Sequence, residues 1–287
     1  MSRSRRSSPT FAPCPIRPEA RRRGIGYGAA LGVALFAVAA VCIVPPAVPR
    51  SLAAIEGRGV ISLCAHPNAL PFASRKDSPP GFQIEMARAL ARHLGVSLDV
   101  AWVVSPVQYR SAECDIVLDT IVNRDVQAES RIRISRPYHH SGVALALPAG
   151  TDGLASFREL GRDRRVGVQV GSLAQMVLGQ RGLRTTPYGF EDEMIEALAE
   201  GTIDAAAISP ASAGYFNLKN PGRAVRLVHA YEQEPELAWN IAVGMRGADA
   251  LLGQKIDAAV QRMLADGTIR DIYARYGIEH RPPVTAR

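Results

Sequence analysis

Two different patterns of apolar residues follow each other after residue 58. Residues 59–64 form a short apolar run that favours a buried strand, whereas residues 82–95 place apolar side chains at helical spacing and end in glycine. Residues 96–104 and 115–118 again have the composition of strands. The order strand–helix–strand–strand is typical of the beginning of an open α/β sheet.

A second α/β block occupies the middle of the chain. Strands are predicted at 165–170 and 203–208, and helices at 172–178, at 191–200 and from 210 onwards. Two extended apolar segments, 142–147 and 238–244, lie between the blocks, and helical patterns follow at 248–265 and 268–276. We therefore predict an α/β fold of two lobes joined by two hinge crossings, with a ligand cleft between the lobes. The predicted ranges are 54–147 with 246–287 for the first lobe and 148–245 for the second.

The first 53 residues form a separate leader. Residues 1–23 are basic, and an apolar run of sixteen residues, 29–44, precedes Pro45-Pro46. This run has the length of the hydrophobic part of an export signal and falls short of the roughly 20 residues of a membrane-spanning helix. Small residues at 51–54 offer a cleavage site, and an uncleaved N-terminal anchor is the alternative. Both hypotheses place the rest of the chain outside the cytoplasmic membrane, in the periplasm.

The net charge of +7 arises entirely in the leader, which holds eight arginines and one glutamate. The remaining chain carries 26 basic and 26 acidic residues. Because this neutral part lacks the electrostatic field that captures a phosphate backbone, nucleic acid is not an expected partner.

Cysteine usage agrees with export. Cys14 and Cys42 fall in the leader, which leaves Cys64 and Cys114 in the rest of the chain. An even pair in an exported protein predicts one disulfide, and two buried free thiols are the alternative. A metal site is not expected, because two cysteines without a matching pair of histidines cannot complete a zinc shell.

Catalytic motifs offer little. The chain has no Gly-x-Ser-x-Gly, no phosphate-binding loop, no His-Glu-x-x-His and no Cys-x-x-Cys. His139 and His140 are adjacent on a predicted strand, so their side chains point to opposite faces and form no ready ligand pair. The sequence therefore predicts no cofactor, no metal and no enzyme activity.

Five short motifs together resemble a known family. The motifs are Cys64-Ala-His-Pro-Asn-Ala-Leu-Pro-Phe72, Gly81-Phe82, Ser135-Arg-Pro-Tyr138, Val166-Gly-Val-Gln-Val-Gly-Ser172 and Ala199-Glu-Gly-Thr-Ile-Asp204. In this order, over residues 58–280, the chain resembles the bacterial extracellular solute-binding proteins of family 3. The resemblance implies the two-lobed periplasmic-binding-protein fold (type II).

Further segments resemble one branch of that family, the quinoprotein-dehydrogenase-associated proteins. These segments are Cys114-Asp115, 213–216 and 241–249. The branch accompanies periplasmic methanol or alcohol dehydrogenases that use pyrroloquinoline quinone (PQQ), so such a dehydrogenase or its cytochrome c is an implied partner. Two features depart from the branch: His139-His140 replaces an aromatic and a basic residue, and residues 105–113 are too few for the usual helix.

The resemblance also implies a set of ligand-binding residues. They are Pro71, Phe72, Asp119, Thr120, Tyr138, Gly171, Ser172 and Ser209. Phe72 is expected to stack on a ligand or to pack within its own lobe, and Asp119-Thr120 to offer polar groups to a ligand or to cap a loop. Gly171-Ser172 precedes a helix, where free backbone N–H groups bind a carboxylate, although Ser172 also fits as a plain helix cap.

Ser209 argues against an ordinary amino acid as the ligand. Amino-acid-binding members carry a carboxylate five residues after the aspartate that Asp204 matches, and Ser209 occupies that position. The family's carboxylate-binding arginine is also unmatched, because Arg131 lies too close to Pro137-Tyr138. A zwitterion is therefore expected to lack both charge partners in this cleft.

These observations predict a monomeric, non-catalytic protein that captures a small solute by hinge closure, as the binding component of an ABC transporter with its permease. The alternative is an accessory protein of a PQQ-dependent dehydrogenase. A third hypothesis, a cyclohexadienyl-type dehydratase, requires a general acid in the cleft, for which Asp119 and the histidines are the candidates.

Overall fold

The computed structural model describes residues 50–130 and 132–284. Most of the predicted leader, including Cys14 and Cys42, lies outside these residues, and so does Arg131. Within the described ranges, no helix combines the length and the apolar composition that crossing a membrane requires.

The first lobe is built on a six-stranded mixed sheet. Its strands are β1 (Val60–Ala65), β4 (Ser97–Trp102), β5 (Ile116–Ile121), β6 (Ile132–Ile134), β7 (His139–Gly142) and β13 (Ala238–Arg246), and a small hairpin is formed by β2 (Asn68–Ala69) and β3 (Ala73–Ser74). β1 pairs in parallel with β4 and β5, whereas β13 runs antiparallel to β5, β6 and β7. The open α/β sheet expected from the first hydrophobic block is confirmed.

Helices supply the remaining core of this lobe. They are α1 (Leu52–Arg58), α2 (Phe82–Leu94), α3 (Pro106–Ser111), α4 (Arg124–Ser130), α8 (Ala250–Ala265) and α9 (Thr268–Arg275). α2, α8 and α9 pack against one another through fully buried side chains such as Met86, Ile256 and Ile269. Gly81 precedes α2 at φ +96°, and a Cβ there would lie 2.4 Å from the carbonyl oxygen of Phe72. Glycine at this position therefore lets the helix start directly beside Phe72.

The second lobe is built on a five-stranded sheet in the order β10-β9-β11-β8-β12. Its strands are β8 (Ala144–Leu147), β9 (Arg165–Gln169), β10 (Arg184–Tyr188), β11 (Ala205–Ile208) and β12 (Arg226–Val228), and its helices are α5 (Leu173–Gln180), α6 (Glu191–Ala199) and α7 (Pro210–Lys219). Every residue of β8 and β11, two of the three interior strands, is buried. These strands are continuously apolar because both faces of the sheet are covered.

The two crossings between the lobes lie side by side. The chain leaves the first sheet at Gly142 and enters the second at Ala144, and it returns between Leu237 and Ala238. Val143 N–H donates to the carbonyl oxygen of Leu237 at 2.9 Å. β8 already belongs to the second sheet, and β13 already belongs to the first. The chain therefore passes from one sheet to the other earlier than at the predicted boundaries 147 and 245.

The chain after α9 runs back along the crossings. The carbonyl oxygen of Arg281 accepts from His140 N–H at 2.9 Å, and its guanidinium forms an ion pair with Glu232 of the second lobe. Gly277 meets Gly214 of α7 so closely that a Cβ on Gly214 would lie 2.3 Å from the Gly277 carbonyl oxygen. The C-terminal segment therefore contacts both lobes.

Cys64 and Cys114 form the predicted disulfide, with their Cα atoms 5.4 Å apart. Cys64 lies near the end of β1 and Cys114 just before β5, and both are buried beside Val103. Residues 105–113, expected to be too short for the family's helix, contain the six residues of α3. The disulfide closes the segment that carries α3 against the sheet.

We predict that Cys64→Ala, Cys114→Ala and the double variant all lose the same free energy of unfolding. In the loop-entropy description, opening a loop of 50 residues costs about 4 kcal/mol. Urea unfolding under oxidising conditions measures this loss, and the wild-type protein with a reducing agent is the matched control. A double variant that is markedly less stable than either single variant would contradict a shared bond.

Candidate functional site

Two adjoining cavities lie between elements of the two lobes. The larger, which we call the outer cavity, has a volume of about 700 Å³, and the smaller, which we call the inner pocket, about 200 Å³. The outer cavity is lined by the β2–β3 hairpin of the first lobe and by the starts of α6 and α7 of the second. Phe72 and Ser209 line both cavities. These two predicted ligand-binding residues therefore stand where the cavities meet.

Ser209 and Glu191 join two helix starts at the wall of the outer cavity. The Oγ of Ser209 caps α7 by accepting from Ser212 N–H at 3.2 Å, and it donates to Glu191 Oε2 at 2.6 Å. Glu191 also accepts from Ser209 N–H at 2.9 Å and from the Ser212 hydroxyl at 2.6 Å. Anionic side chains are favoured at helix N-termini, where free N–H groups carry partial positive charge. The carboxylate thus has three donors and a place in the cavity wall.

Glu191 corrects one inference from the sequence. The cleft was expected to lack the family's ammonium-binding carboxylate because Ser209 stands at its position, yet Glu191 and the neighbouring Asp192 line the outer cavity. Glu191 is 18 residues before Ser209 and is held against it by hydrogen bonds. A carboxylate can accept about four hydrogen bonds, so Glu191 keeps capacity for one more donor.

Asp119 is the second carboxylate of the site, and it lines the inner pocket. Its backbone has φ +54°, a left-handed conformation that few residues other than glycine adopt and that Asp and Asn tolerate best. Tyr138 holds it twice: Asp119 N–H donates to the Tyr138 hydroxyl at 2.8 Å, and that hydroxyl donates to Oδ1 at 2.7 Å. Gln83 Nε2 donates to Oδ2 at 2.7 Å. Burial raises the pKa of the Asp119 carboxyl, and these two side-chain hydrogen bonds oppose the rise.

His139 also lines the inner pocket but carries no charge there at neutral pH. Its ring lies edge-on to Tyr273 and stacks on His280, with centroids 4.9 Å and 5.5 Å away. Burial, reinforced by His280, lowers the pKa of His139 to about 3. Since an unfolded histidine titrates near 6.5, protonation opposes folding as the pH falls from about 6.5 to about 3. The neutral ring acts as part of the wall and not as a counter-charge.

Five of the predicted residues line neither cavity. Pro71 is buried and Tyr138 is fully buried, so Tyr138 reaches the inner pocket through Asp119. The Thr120 hydroxyl packs beneath Gly244, where a Cβ would lie 2.4 Å from it. Gly171 N–H donates to Gln175 Oε1 at 2.7 Å, and Ser172 Oγ accepts from Gln175 N–H at 3.1 Å.

The polar groups of the Gly171-Ser172 turn therefore already have hydrogen-bond partners within the protein. Ser172 caps α5, which is the second of the two roles expected for it. An anion site at this turn stays a prediction. Asp204, the family-motif aspartate, has a structural partner: Arg165 donates to it through N–H at 2.7 Å and through its guanidinium. These hydrogen bonds lower the pKa of Asp204 to about 2.

Most of the residues that line the cavities were not predicted from the sequence, and three of them matter for the chemistry. Glu191 lacked a motif of its own, although three acidic residues open α6. Tyr273 comes from the last helix and Trp239 from β13, and both line the inner pocket. Among the described residues, no group of His, Cys, Asp and Glu side chains is arranged to hold a metal ion.

Comparison with known proteins now gives these cavities a context. The bacterial extracellular solute-binding proteins, family 3, match residues 61–279. The chain belongs to this family. For a family 3 protein, a cleft between two α/β lobes is the expected binding site, and that is where both cavities lie.

Two curated proteins and one solved structure illustrate the relationship. This family 3 protein is 23% identical to the L-cystine-binding protein TcyJ of Escherichia coli over 256 residues, 85% of this chain and 94% of TcyJ. It is 28% identical over 243 residues to the membrane-bound lytic murein transglycosylase F of Desulfosudis oleivorans, covering 79% of this chain. The alignment spans 50% of the transglycosylase, so the chain matches about half of that enzyme.

The solved structure is the periplasmic binding protein XoxJ from Methylobacterium extorquens AM1. It superposes with a TM-score of 0.62 at 22% identity, covering 79% of this chain and all of XoxJ. At this identity the likeness is one of fold. The family and the similarity to TcyJ support a role in binding a solute, and the identity of that solute has to come from the site itself.

We predict that Ser209→Asp destabilises the protein, because the new carboxylate lies against Glu191. Ser209→Asn is the matched control, since Asn and Asp cap helices equally well but only Asp adds charge. Repulsion between the carboxylates should make Ser209→Asp less stable than Ser209→Asn by roughly 1–2 kcal/mol at pH 7. Acidification should close this gap as the carboxylates protonate, and a gap that is independent of pH would refute the contact with Glu191. Thermal unfolding of both variants between pH 3 and pH 7 is the measurement.

Proposed function

We propose that this protein captures a small solute between its lobes, in the outer cavity and inner pocket, by hinge closure outside the cytoplasmic membrane. The observation that carries the proposal is the position of both cavities across two adjacent crossings, with Phe72 from one lobe and Ser209 from the other in each wall. Ligand that contacts both lobes stabilises the closed arrangement by its extra contacts there. Delivery to an ABC permease is the corresponding physiological role.

Native mass spectrometry of protein purified gently from the periplasm of its own host tests this proposal. We expect a small adduct that is lost on unfolding, and its mass limits the identity of the solute. A control sample refolded from denaturant should lack the adduct. A protein that is empty in both preparations and does not contract in small-angle X-ray scattering with any periplasmic extract would contradict solute capture.

A second candidate function is that of an accessory to a PQQ-dependent dehydrogenase. The observation that favours it is the exposure of large apolar side chains on the second lobe: Val170, Met176 and Phe190 are 61%, 54% and 58% exposed, and Phe190 also lines the outer cavity. Where such side chains are contiguous, they are typical of protein-binding surfaces. Under this hypothesis Met176→Ser, which changes no cavity-lining residue, should weaken co-purification of a dehydrogenase subunit. If no subunit co-purifies with the wild-type protein or with the variant, solute capture is the function that remains.

Export is part of the proposal, and the packing of α1 bears on where a leader could be cleaved. Ile55 is fully buried and Leu52 is 8% exposed, so α1 belongs to the core of the first lobe. Ser51 Oγ caps α1 by accepting from Ala54 N–H at 3.1 Å, and the Arg50 guanidinium donates to the carbonyl oxygen of Cys114. Cleavage near Ala54 would remove the cap and these contacts.

We predict that the mature protein retains Arg50 and Ser51, so that cleavage of the leader occurs on the N-terminal side of Arg50. Intact-mass measurement of the periplasmic protein identifies the first residue. A mature chain that begins at Ala54 or later would contradict the prediction, whereas a full-length chain in the membrane fraction would identify the leader as an anchor.

A further inference from the structure

The inner pocket contains a buried hydroxyl without a partner. Tyr273 is 1% exposed, and its hydroxyl has no hydrogen-bond partner among the described residues. Leaving a buried polar group unpaired destabilises a folded protein, because the group has lost its hydrogen bonds to water. Asp119 and Tyr273 both line the inner pocket. Burial raises the pKa of Tyr273 well above its usual value, and the Asp119 carboxylate adds to the rise. A ligand polar group between them would satisfy both.

The inner pocket has an aromatic part to its wall. Phe72, Phe82, Trp239 and Tyr273 all line it, with ring centroids 5.2 Å apart for Phe72 and Phe82 and 5.0 Å apart for Phe82 and Tyr273. Aromatic faces carry partial negative charge and attract cations, most strongly where water is excluded. The walls therefore favour an organic cation over an anion.

The charge of the pocket points in the same direction. Asp119 receives hydrogen bonds from Gln83 and Tyr138, which are both neutral donors, and no lysine or arginine of the described chain lines the pocket. Each carboxylate oxygen has two acceptor sites, so Asp119 keeps capacity for two further N–H donors. His139 is neutral and supplies no positive charge. A ligand cation would complete this buried, unbalanced carboxylate.

We propose that the inner pocket binds the primary ammonium group of a small alkylamine that has no carboxylate. The ammonium donates to Asp119 and to the Tyr273 hydroxyl, and its alkyl chain contacts the aromatic walls or extends towards the outer cavity. A ligand carboxylate is disfavoured because no cation in the described pocket wall would pair with it. This inference rests on the proposed solute capture and specifies its ligand class.

Three probes with the same carbon chain test the inference by isothermal titration calorimetry on the mature protein: n-pentylammonium, its neutral isostere 1-pentanol, and L-norleucine, which is pentylammonium with a carboxylate added. We expect n-pentylammonium to bind at least tenfold more tightly than either of the others. Equal affinity for 1-pentanol would overturn the role of charge, and tighter binding of L-norleucine would overturn the exclusion of a carboxylate.

Two variants test the residues. Asp119→Asn keeps the left-handed backbone accessible and should lower the affinity for n-pentylammonium at least tenfold without a large change in melting temperature. Tyr273→Phe should weaken amine binding about threefold while leaving the melting temperature equal or higher, because the substitution removes an unpaired hydroxyl. Unchanged amine affinity in both variants would refute the assignment.

The outcomes also separate this inference from the proposed function. Contraction in small-angle X-ray scattering with L-norleucine or 1-pentanol, but not with n-pentylammonium, would uphold solute capture and reject the amine. No heat and no contraction with any of the three probes, together with an empty native mass spectrum, would reject both.

Discussion

The close approach of the two crossings governs the architecture of this molecule. Gly142 stands where a Cβ would lie 2.3 Å from the Leu237 carbonyl oxygen and 2.5 Å from Cβ of Tyr231, and the next residue donates to Leu237. The two crossings cannot separate here without losing that hydrogen bond. The lobes are therefore held together along the line of the crossings. Elements far from this line can move further than those beside it, and the outer cavity is lined by elements from both lobes.

The chemistry of the cleft comes from helix starts and strand ends that the fold brings together. α6 and α7 begin side by side, so Glu191 at the start of one is held by Ser209 and Ser212 at the start of the other. Asp119 lies near the end of β5, where its left-handed backbone turns the carboxyl towards Tyr138 and Gln83. Both carboxylates therefore already accept hydrogen bonds from neutral donors within the protein. Because these donors carry no charge, the negative charge of each carboxylate stays available to a ligand.

Much of the fold could be predicted from the sequence because the interior strands are continuously apolar. In the two main sheets the strands missed were β6, β10 and β12, which lie at sheet edges and are short or polar, and β10 contains Pro187. The two-residue strands of the β2–β3 hairpin were missed as well. An edge strand needs fewer apolar residues and tolerates proline, so its hydrophobic pattern is weak. α1 was missed for a different reason, since it begins within the residues assigned to the leader.

The candidate site was predictable only in part. Phe72, Asp119 and Ser209 line the cavities and were named beforehand from the resemblance to family 3. Phe72 lies in the β2–β3 hairpin, Asp119 within β5 and Ser209 directly after β11. Glu191 and Tyr273 reach the cavities through tertiary packing, Tyr273 from a helix more than 150 residues beyond Asp119. The pattern of neighbouring residues in the sequence does not show which residues that are distant in sequence pack together. Ser209 shows the same limit. The sequence indicated that the carboxylate expected at this position is absent, whereas Glu191, from another element, brings a carboxylate to the same place.

The contact between Gly214 and Gly277 constrains how this protein can change over time. A Cβ on either residue would lie 2.3–2.6 Å from the carbonyl oxygen of the other. One methyl group at either position would push α7 away from the chain that follows α9, and a second change at the facing glycine could not relieve the clash, because the obstructing atoms are backbone. This pair of positions therefore offers no viable intermediate for replacement by a larger residue, whichever glycine changes first.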